Sequence, residues 1–168
     1  MVLITQKWDK VLNLIFEYPN HSFTVRELSG KTEIPVSTVQ RCLVKLRKEG
    51  FITKENQSNI NLYYKFRKSL FMINKIYEIG LIDHLTRELN PSVIIVFGSV
   101  RKGEYEKDSD IDLFIESSIK KKINLGKYEK KLGHRIQMFI ESDMNKLQPD
   151  LFNNIINGIK LYGSFKVK

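Results

Sequence analysis

The order of apolar and polar residues in the first part of the chain predicts three helices followed by a hairpin. The predicted helices cover residues 6–18, 25–30 and 35–49, and the predicted strands cover residues 51–55 and 60–66. Thr24 and Glu27 have the spacing of a capping box at the start of the second helix. Gly50 follows the third helix and is a suitable C-terminal stop. The predicted order is therefore helix, helix, turn, helix, hairpin.

The rest of the chain has a different periodicity, which is typical of a mixed α and β domain. A long amphipathic stretch over 68–89 predicts a helix in which Gly80 favours a kink. Residues 93–97 are continuously apolar, as in a strand buried on both faces. Further strands are predicted over 111–115, 135–140 and the closing GIKLYG, and helices over 125–132 and 149–157. We expect an α+β chain with one domain over 1–67 and a second, containing a small mixed β-sheet flanked by helices, over 68–168, in which 68–89 is the connecting helix.

The segment VSTVQRCLVKLRKEGFI, from Val36 to Ile52, carries a resemblance to a known family. It is similar to the recognition helix of winged helix-turn-helix regulators, together with the turn into their wing. The resemblance covers roughly residues 5–66 and rests on spacing, since the family has no invariant motif here. It implies an N-terminal DNA-binding domain, in which the start of the recognition helix reaches base edges in the major groove.

The third predicted helix presents a cationic face once its apolar stripe is assigned to the core. No acidic residue lies between Pro35 and Lys48. An alternative is that the unit contacts protein and its basic face is only solvated, which the outward position of Val44 favours. For DNA, we expect base contacts from Ser37, Thr38, Gln40 and Arg41, and phosphate contacts from Lys45, Arg47, Lys48 and the wing residue Lys54.

Composition narrows the possible partners and excludes some classes of site. The chain has 168 residues and a formal net charge of +9, of which +6 lies in residues 1–68, so an anionic partner is expected. The single cysteine, Cys42, excludes an intramolecular disulfide and a zinc site of several thiolates, and is expected to be a buried apolar residue. No apolar run reaches the roughly 20 residues of a membrane span, and Met1 to Lys10 lacks a signal-peptide pattern, so we expect no membrane contact and a cytoplasmic protein.

The segment FGSVRKGEYEKDSDIDLF, from Phe97 to Phe114, is the part of the sequence that most strongly indicates chemistry. Gly98 allows a phosphate to approach the backbone closely, and the amides and hydroxyl around Ser99 can donate to phosphate oxygens. Asp110 and Asp112 are two residues apart at a predicted strand, so their carboxylates point to one face. Two adjacent carboxylates suit Mg²⁺, which shares the oxygens of a triphosphate with the protein. The alternative is an acidic turn that caps a strand, but an unpaired carboxylate inside an apolar strand is costly.

This segment resembles the signature of the DNA polymerase beta-like nucleotidyltransferase superfamily, and most closely that of its minimal prokaryotic members. The resemblance covers about residues 81–163. It implies transfer of a nucleoside monophosphate from ATP or another nucleoside triphosphate, with Mg²⁺ or Mn²⁺ as cofactor. It implies that Asp110 and Asp112 are catalytic and bind the metal, and that the nucleotide contacts Gly98, Ser99, Arg101 and Ser109.

One position departs from the superfamily pattern. A third carboxylate usually comes from a neighbouring strand, and the corresponding strand here, HRIQMFI, has Gln137 at that place. An amide offers a carbonyl oxygen but carries no charge and cannot act as a general base. Glu116 and Glu141 follow on the same faces as uncertain substitutes, with Glu141 about 13 Å from Gln137 along the strand.

Two hypotheses for the function follow. The first is an enzyme with an unknown acceptor; related minimal nucleotidyltransferases act as antitoxins beside HEPN-type RNases, so a partner protein of that kind is one candidate acceptor. The second is a transcriptional regulator whose second domain senses a nucleotide without turnover. The amphipathic stretch over 68–89 is also a candidate homodimer interface, although its apolar residues could equally be buried within one chain.

Overall fold

The structure is a computed structural model that describes residues 6–166. Residues 1–5 and 167–168, which include the two ends of the predicted domains and half of the segment tested for a signal peptide, lie outside the described residues. Contacts divide the chain into two compact units, one ending at Lys65 and one beginning at Phe66. Between residues 6 and 166, no helix combines the length and the apolar character required to cross a membrane.

The first unit contains three helices whose apolar faces form its core. These helices are α1 (Gln6–Glu17), α2 (Val25–Thr32) and α3 (Val36–Lys48). Thr24 caps α2, because its hydroxyl accepts a hydrogen bond from the Glu27 amide at 3.1 Å. Only half of the predicted capping box forms, since the Glu27 carboxylate contacts His21 at 2.9 Å. Cys42 is buried as predicted, and burial raises the pKa of its thiol to about 12.

The predicted two-stranded wing is wrong. The segment after α3 makes an isolated β-bridge between Ile52 and Ser58, and Thr53 N–H donates to the Gln57 carbonyl at 2.8 Å. The predicted second strand over 60–66 is instead the start of helix α4 (Leu62–Glu78). The Asn61 side chain accepts a hydrogen bond from the Tyr64 amide at 2.9 Å, which caps the first turn of this helix.

The single helix predicted over 68–89 is two helices. α4 ends at Glu78, and α5 (Leu81–Leu89) begins after Gly80, whose φ of +74° is left-handed. A left-handed residue cannot continue an α-helix, so the kink expected at Gly80 is a complete break.

The second unit is built around a four-stranded mixed sheet in the order β3-β2-β1-β4. Strands β1 and β2 and strands β1 and β4 pair antiparallel, whereas β2 and β3 are parallel. The strands are β1 (Val93–Val96), β2 (Ile111–Glu116), β3 (Ile136–Glu141) and β4 (Ile159–Gly163). The remaining helices are α6 (Gly98–Lys102), α7 (Gly126–Leu132), the 3₁₀ helix Met144–Lys146 and α8 (Pro149–Ile156). The α+β class with a small mixed sheet flanked by helices is confirmed.

One face of the sheet is covered by the chain that follows β3. Its buried core contains Phe97 and Phe114 with Met144 and Ile155 from the 3₁₀ helix and α8. The 3₁₀ helix was not predicted; the Asp143 carboxylate caps it by accepting from the Asn145 amide at 2.9 Å. Since Asp112 lies two residues before Phe114 on β2, it belongs to the same face, at the end of the strand where α6 begins.

Candidate nucleotide and DNA sites

Gly98 and Asp112 are in close contact at the end of β1. The Phe97 amide donates to the Asp112 carbonyl at 3.1 Å, and Gly98 then turns the chain into α6 with a φ of +64°. A β-carbon at Gly98 would lie 2.0 Å from the Asp112 Oδ2 atom. Any other residue would therefore displace the carboxylate as well as strain the backbone. Glycine is required here by two independent features, and both serve the position of Asp112.

The two acidic residues lie side by side at the start of β2. Asp110 is exposed and immediately precedes the strand, whereas Asp112 is half-buried within it. Burial, and then the negative charge of Asp110, raise the pKa of the Asp112 carboxyl. The charge effect means that the two carboxylates are close enough to repel each other.

The loop before Asp110 is anchored to the segment that leads into β3. His134 is buried, and its Nδ1 lies 2.9 Å from the Ser109 carbonyl, so Nδ1 carries the hydrogen and donates it. The Ile111 amide donates to the Arg135 carbonyl at 2.9 Å. Ser109 also closes the loop on itself, because its hydroxyl accepts from the Glu106 amide at 2.8 Å. His134 thus fixes the approach to Asp110, a role that no spacing pattern in the sequence indicates.

Gln137 lies beside Asp112 on the neighbouring strand. The parallel pairing of β2 with β3 sets Asp112 against Gln137, as the sequence predicted, and their side chains share one face. Within residues 6–166 there is no group of three or more His, Cys, Asp or Glu side chains that could hold a metal ion. The residue beside Asp112 on β3 is therefore an amide, at the position where we predicted that a third acid is replaced.

Neither of the two uncertain substitutes reaches this place. Glu116 and Glu141 pair with each other in the register, four residues further along both strands. The Glu116 carboxylate accepts from the Ser92 hydroxyl at 2.5 Å and from the Met144 amide at 2.8 Å. Glu141 contacts Lys120 at 3.2 Å. Both carboxylates are engaged at the opposite end of the sheet, so their use as a third ligand is excluded in this conformation.

In the first unit, α3 presents an exposed surface that contains most of the predicted DNA contacts. Arg41 donates to the Thr38 hydroxyl at 3.3 Å, which orients its guanidinium along the start of the helix. Val44 is also exposed within this row. The exposed polar members are Ser37, Gln40, Arg41, Lys48 and the hairpin residue Lys54.

Two of the predicted phosphate contacts, Arg47 and Lys45, also have partners within the first unit. Arg47 donates two hydrogen bonds to the Asn56 side-chain oxygen, at 2.7 and 3.2 Å, and Asn56 donates to the Phe23 carbonyl at 3.0 Å. Lys45 lies with its ammonium 4.8 Å from the centre of the Trp8 ring. These contacts hold the hairpin and α1 against α3, so Arg47 and Lys45 have structural roles in the first unit.

The comparisons with known proteins agree with this division. The family model "Nucleotidyltransferase domain" matches residues 80–165, which is half of the chain. The chain belongs to the nucleotidyltransferase domain family. The family model "IclR helix-turn-helix domain" matches residues 10–56, so the predicted fusion of the two is confirmed. No curated protein and no solved structure matches the chain.

The nucleotidyltransferase match covers β1, α6, β2 and β3 and therefore includes every residue of the Gly98–Asp112 contact and Gln137. Family membership supports a transferase that uses a nucleoside triphosphate, usually with a divalent metal. The carboxylates fit such a metal, because burial and then the charge of Asp110 raise the pKa of Asp112, and a divalent cation would favour the ionised form of both side chains. Oxygen donors are also the type that Mg²⁺ and Mn²⁺ prefer.

Cationic side chains flank the nucleotidyltransferase site on the loop between its two motifs. Arg101 and Lys102 are exposed at the end of α6. Lys107 extends toward the Gly133 carbonyl at 3.5 Å, near the segment that carries His134. Ser99 and Arg101, which are predicted to contact the nucleotide, both belong to α6. This helix begins at Gly98, the residue that contacts Asp112.

Proposed function

We propose that the chain transfers a nucleoside monophosphate from ATP or another nucleoside triphosphate to an acceptor hydroxyl, with Mg²⁺ or Mn²⁺ held by Asp110 and Asp112. The observation that carries this proposal is the contact of Asp112 with Gly98, where only a glycine leaves room for the carboxylate. This contact brings together the Gly-Ser and the Asp-Ile-Asp parts of the family motif, which are separated in sequence. The helix-turn-helix unit binds DNA, and we assign base contacts to the exposed start of α3.

Each residue of the site has a distinct part in the proposed reaction. Asp110 and Asp112 hold the metal, which would neutralise the triphosphate charge and polarise the phosphoryl oxygen when bound. Gly98 and Ser99 let the phosphates approach the backbone at the start of α6. Arg101, which is exposed at the end of α6, would contact the outgoing phosphates through its charge.

Gln137 supports a second candidate function. It offers an oxygen beside Asp112 but cannot accept the proton of an acceptor hydroxyl. On this second proposal the domain binds nucleotide and alters DNA binding by the helix-turn-helix unit, without turnover. If the chain is an enzyme, as in the first proposal, the acceptor must provide the general base. A folded partner protein of the HEPN type could do so.

Following the transfer of a labelled α-phosphate distinguishes the two candidate functions. The purified chain is incubated with Mg²⁺ and each of the four nucleoside triphosphates labelled at the α-phosphate, with protein and RNA acceptors present. Transfer that is lost in Asp110→Asn and retained in Asp108→Asn, an exposed acid of the same loop, supports the enzyme. A change in DNA affinity on adding nucleotide, without label transfer, supports the sensor. Equal transfer by wild type and Asp110→Asn would contradict the assignment of the site.

A further inference from the structure

Helix α4 carries an apolar row that the described residues leave largely exposed. Phe66, Leu70 and Tyr77 of this row are exposed and Ile73 is partly buried, whereas the side of the helix that contains Met72 and Ile76 is buried in the core of the second unit. Phe66 is 61% exposed, Tyr77 46% and Leu70 38%. The spacing along the row is four, three and four residues, which is the alternation of a helix–helix seam. One side of the helix is therefore core, whereas the other side is largely exposed.

The exposed row continues onto the edge strand β4. The Tyr77 hydroxyl donates a hydrogen bond to the Leu161 carbonyl, which brings the C-terminal end of α4 against this strand. On either side of Leu161, Tyr162 is 43% exposed and Ile159 is 36% exposed. Helix row and strand together form one surface, which we call the α4–β4 surface and define by Phe66, Leu70, Ile73, Tyr77, Ile159 and Tyr162.

We propose that the α4–β4 surface is the interface between two copies of this chain, with the two α4 helices packed antiparallel around a two-fold axis. Leu62 and Tyr63 are also exposed on α4 but belong to the first unit. Within the second unit, which begins at Phe66, the four-three-four spacing is the same in both directions, as a two-fold interface between identical surfaces requires. Antiparallel packing places Phe66 opposite Tyr77 of the second copy, and Leu70 opposite Ile73 of the second copy. Large aromatic residues then meet at the two ends, and branched aliphatic residues meet in the middle.

The charges beside the row are compatible with this arrangement. Arg67 and Asn74 occupy the equivalent flanking positions, one heptad apart. Antiparallel packing sets Arg67 near Asn74 of the second copy, so a cation meets an amide. Parallel packing would instead align identical residues and bring the two Arg67 side chains to the same level of the seam. The antiparallel form therefore keeps the two Arg67 side chains at different levels of the seam.

The exposed area is also sufficient. A large aromatic side chain presents about 150–250 Å², so the exposed parts of the α4–β4 side chains amount to roughly 400 Å² on each copy. A standard interface buries about 800 Å² per partner, of which roughly 57% is apolar, or about 450 Å². The surface thus supplies about the apolar area that one side of a stable dimer needs. Such a dimer carries two helix-turn-helix units and suits a DNA site of two half-sites.

The test uses the full chain in size-exclusion chromatography with light scattering, over about 1–100 µM protein. We expect twice the monomer mass of 19.7 kDa for the wild type. The carboxylate that Phe66→Glu introduces would be solvated in the monomer but unpaired in the dimer seam. This variant should therefore raise the dissociation constant of the dimer at least about 100-fold. Ile119→Glu changes an exposed apolar residue of the same unit outside the surface and should leave the mass unchanged. A wild type that stays monomeric, or equal dissociation by both variants, would overturn the proposal.

Cysteine cross-linking tests the orientation and does not depend on how Phe66→Glu folds. The native Cys42 is buried, so introduced thiols react selectively. A mixture of Phe66→Cys and Tyr77→Cys chains should form the mixed disulfide under mild oxidation. Phe66→Cys alone should not link to itself, because the two positions would be separated by about 16 Å in the antiparallel seam. Linking of Phe66→Cys to itself, or no mixed disulfide in a chain that dimerises, would overturn the antiparallel seam.

Discussion

Gly98 and Asp112 are so close that a β-carbon on the glycine would lie 2.0 Å from the carboxylate oxygen. Gly98→Ala should therefore move Asp112 and weaken binding of nucleotide with Mg²⁺ by more than about tenfold, because a misplaced ligand loses the metal. It should also destabilise the fold, since its φ is +64°. Isothermal titration with a non-hydrolysable ATP analogue measures the first effect, and thermal unfolding measures the second.

Gly80→Ala is the matched control for this substitution. Gly80 has a φ of +74°, but nothing lies within 4 Å of an added β-carbon. This variant should lose about 1–2 kcal/mol of stability through the backbone alone and keep its nucleotide affinity. Equal loss of affinity in the two variants would mean that strain, and not the contact with Asp112, explains the effect of Gly98→Ala.

Replacing Gln137 tests whether a missing general base limits the proposed transfer. Gln137→Glu keeps the size of the side chain and supplies a carboxylate beside Asp112. If proton removal from the acceptor limits the reaction, transfer should rise by about 10²–10⁴-fold, the usual contribution of a general base. Single-turnover rates with saturating nucleotide measure the change, and Gln137→Ala controls for loss of the amide. Tighter metal binding with an unchanged rate would show that the missing base is not the limiting feature.

The DNA surface makes a prediction that separates exposed cations from those held by the fold. Lys48→Ala should reduce the slope of log K against log salt by about one, as expected for one lost phosphate contact. Arg47→Ala should leave that slope nearly unchanged but destabilise the first unit by about 1–3 kcal/mol, because Asn56 loses its donor. Fluorescence anisotropy at several salt concentrations, together with urea unfolding, distinguishes the two. A full unit change of slope for Arg47→Ala would contradict its structural role.

Much of this architecture follows from local sequence patterns. The continuous apolar run of β1 and the Ile-Asp-Leu-Phe-Ile sequence of β2 predict their strands directly, because each pattern is complete within a few residues. The place of Gln137 beside Asp112 was also predictable, since the resemblance to the superfamily specifies which strand lies next to β2. The prediction of a second wing strand was wrong because the apolar pattern from Leu62 to Phe66 fits both the helical and the strand periodicity. The Asn61 cap and the packing of Tyr64 on Phe16, with ring centres 5.3 Å apart, favour the helix.

Roles that depend on distant partners were not predictable in the same way. Arg47 looks like any outward cation of α3 until Asn56, nine residues later, accepts from its guanidinium. Lys45 is similar, because its aromatic partner Trp8 comes from α1. His134 acts through a loop 25 residues earlier in the chain. In each case the decisive contact is tertiary, and helical periodicity alone carries no information about it.

Asp112 is the residue on which the proposed metal site most depends. Asp112→Asn should weaken ligand binding but stabilise the metal-free protein, so the two effects have opposite signs. Burial and the charge of Asp110 raise the pKa of Asp112, so its ionised form destabilises the metal-free fold above the ordinary carboxyl pKa of about 4. In chelator at neutral pH, Asp112→Asn should therefore unfold at a higher temperature than wild type. That advantage should disappear as the pH falls below about 4, because the wild-type carboxyl is then protonated in both states.

The most direct measurement repeats this unfolding experiment with Mg²⁺ and a non-hydrolysable ATP analogue. Wild type should be stabilised by the pair of ligands and by neither alone, in proportion to the logarithm of ligand concentration. Asp112→Asn should lose that ligand-dependent increase while it keeps its higher stability in chelator. An equal increase in both proteins would contradict a metal–nucleotide site built on Asp112.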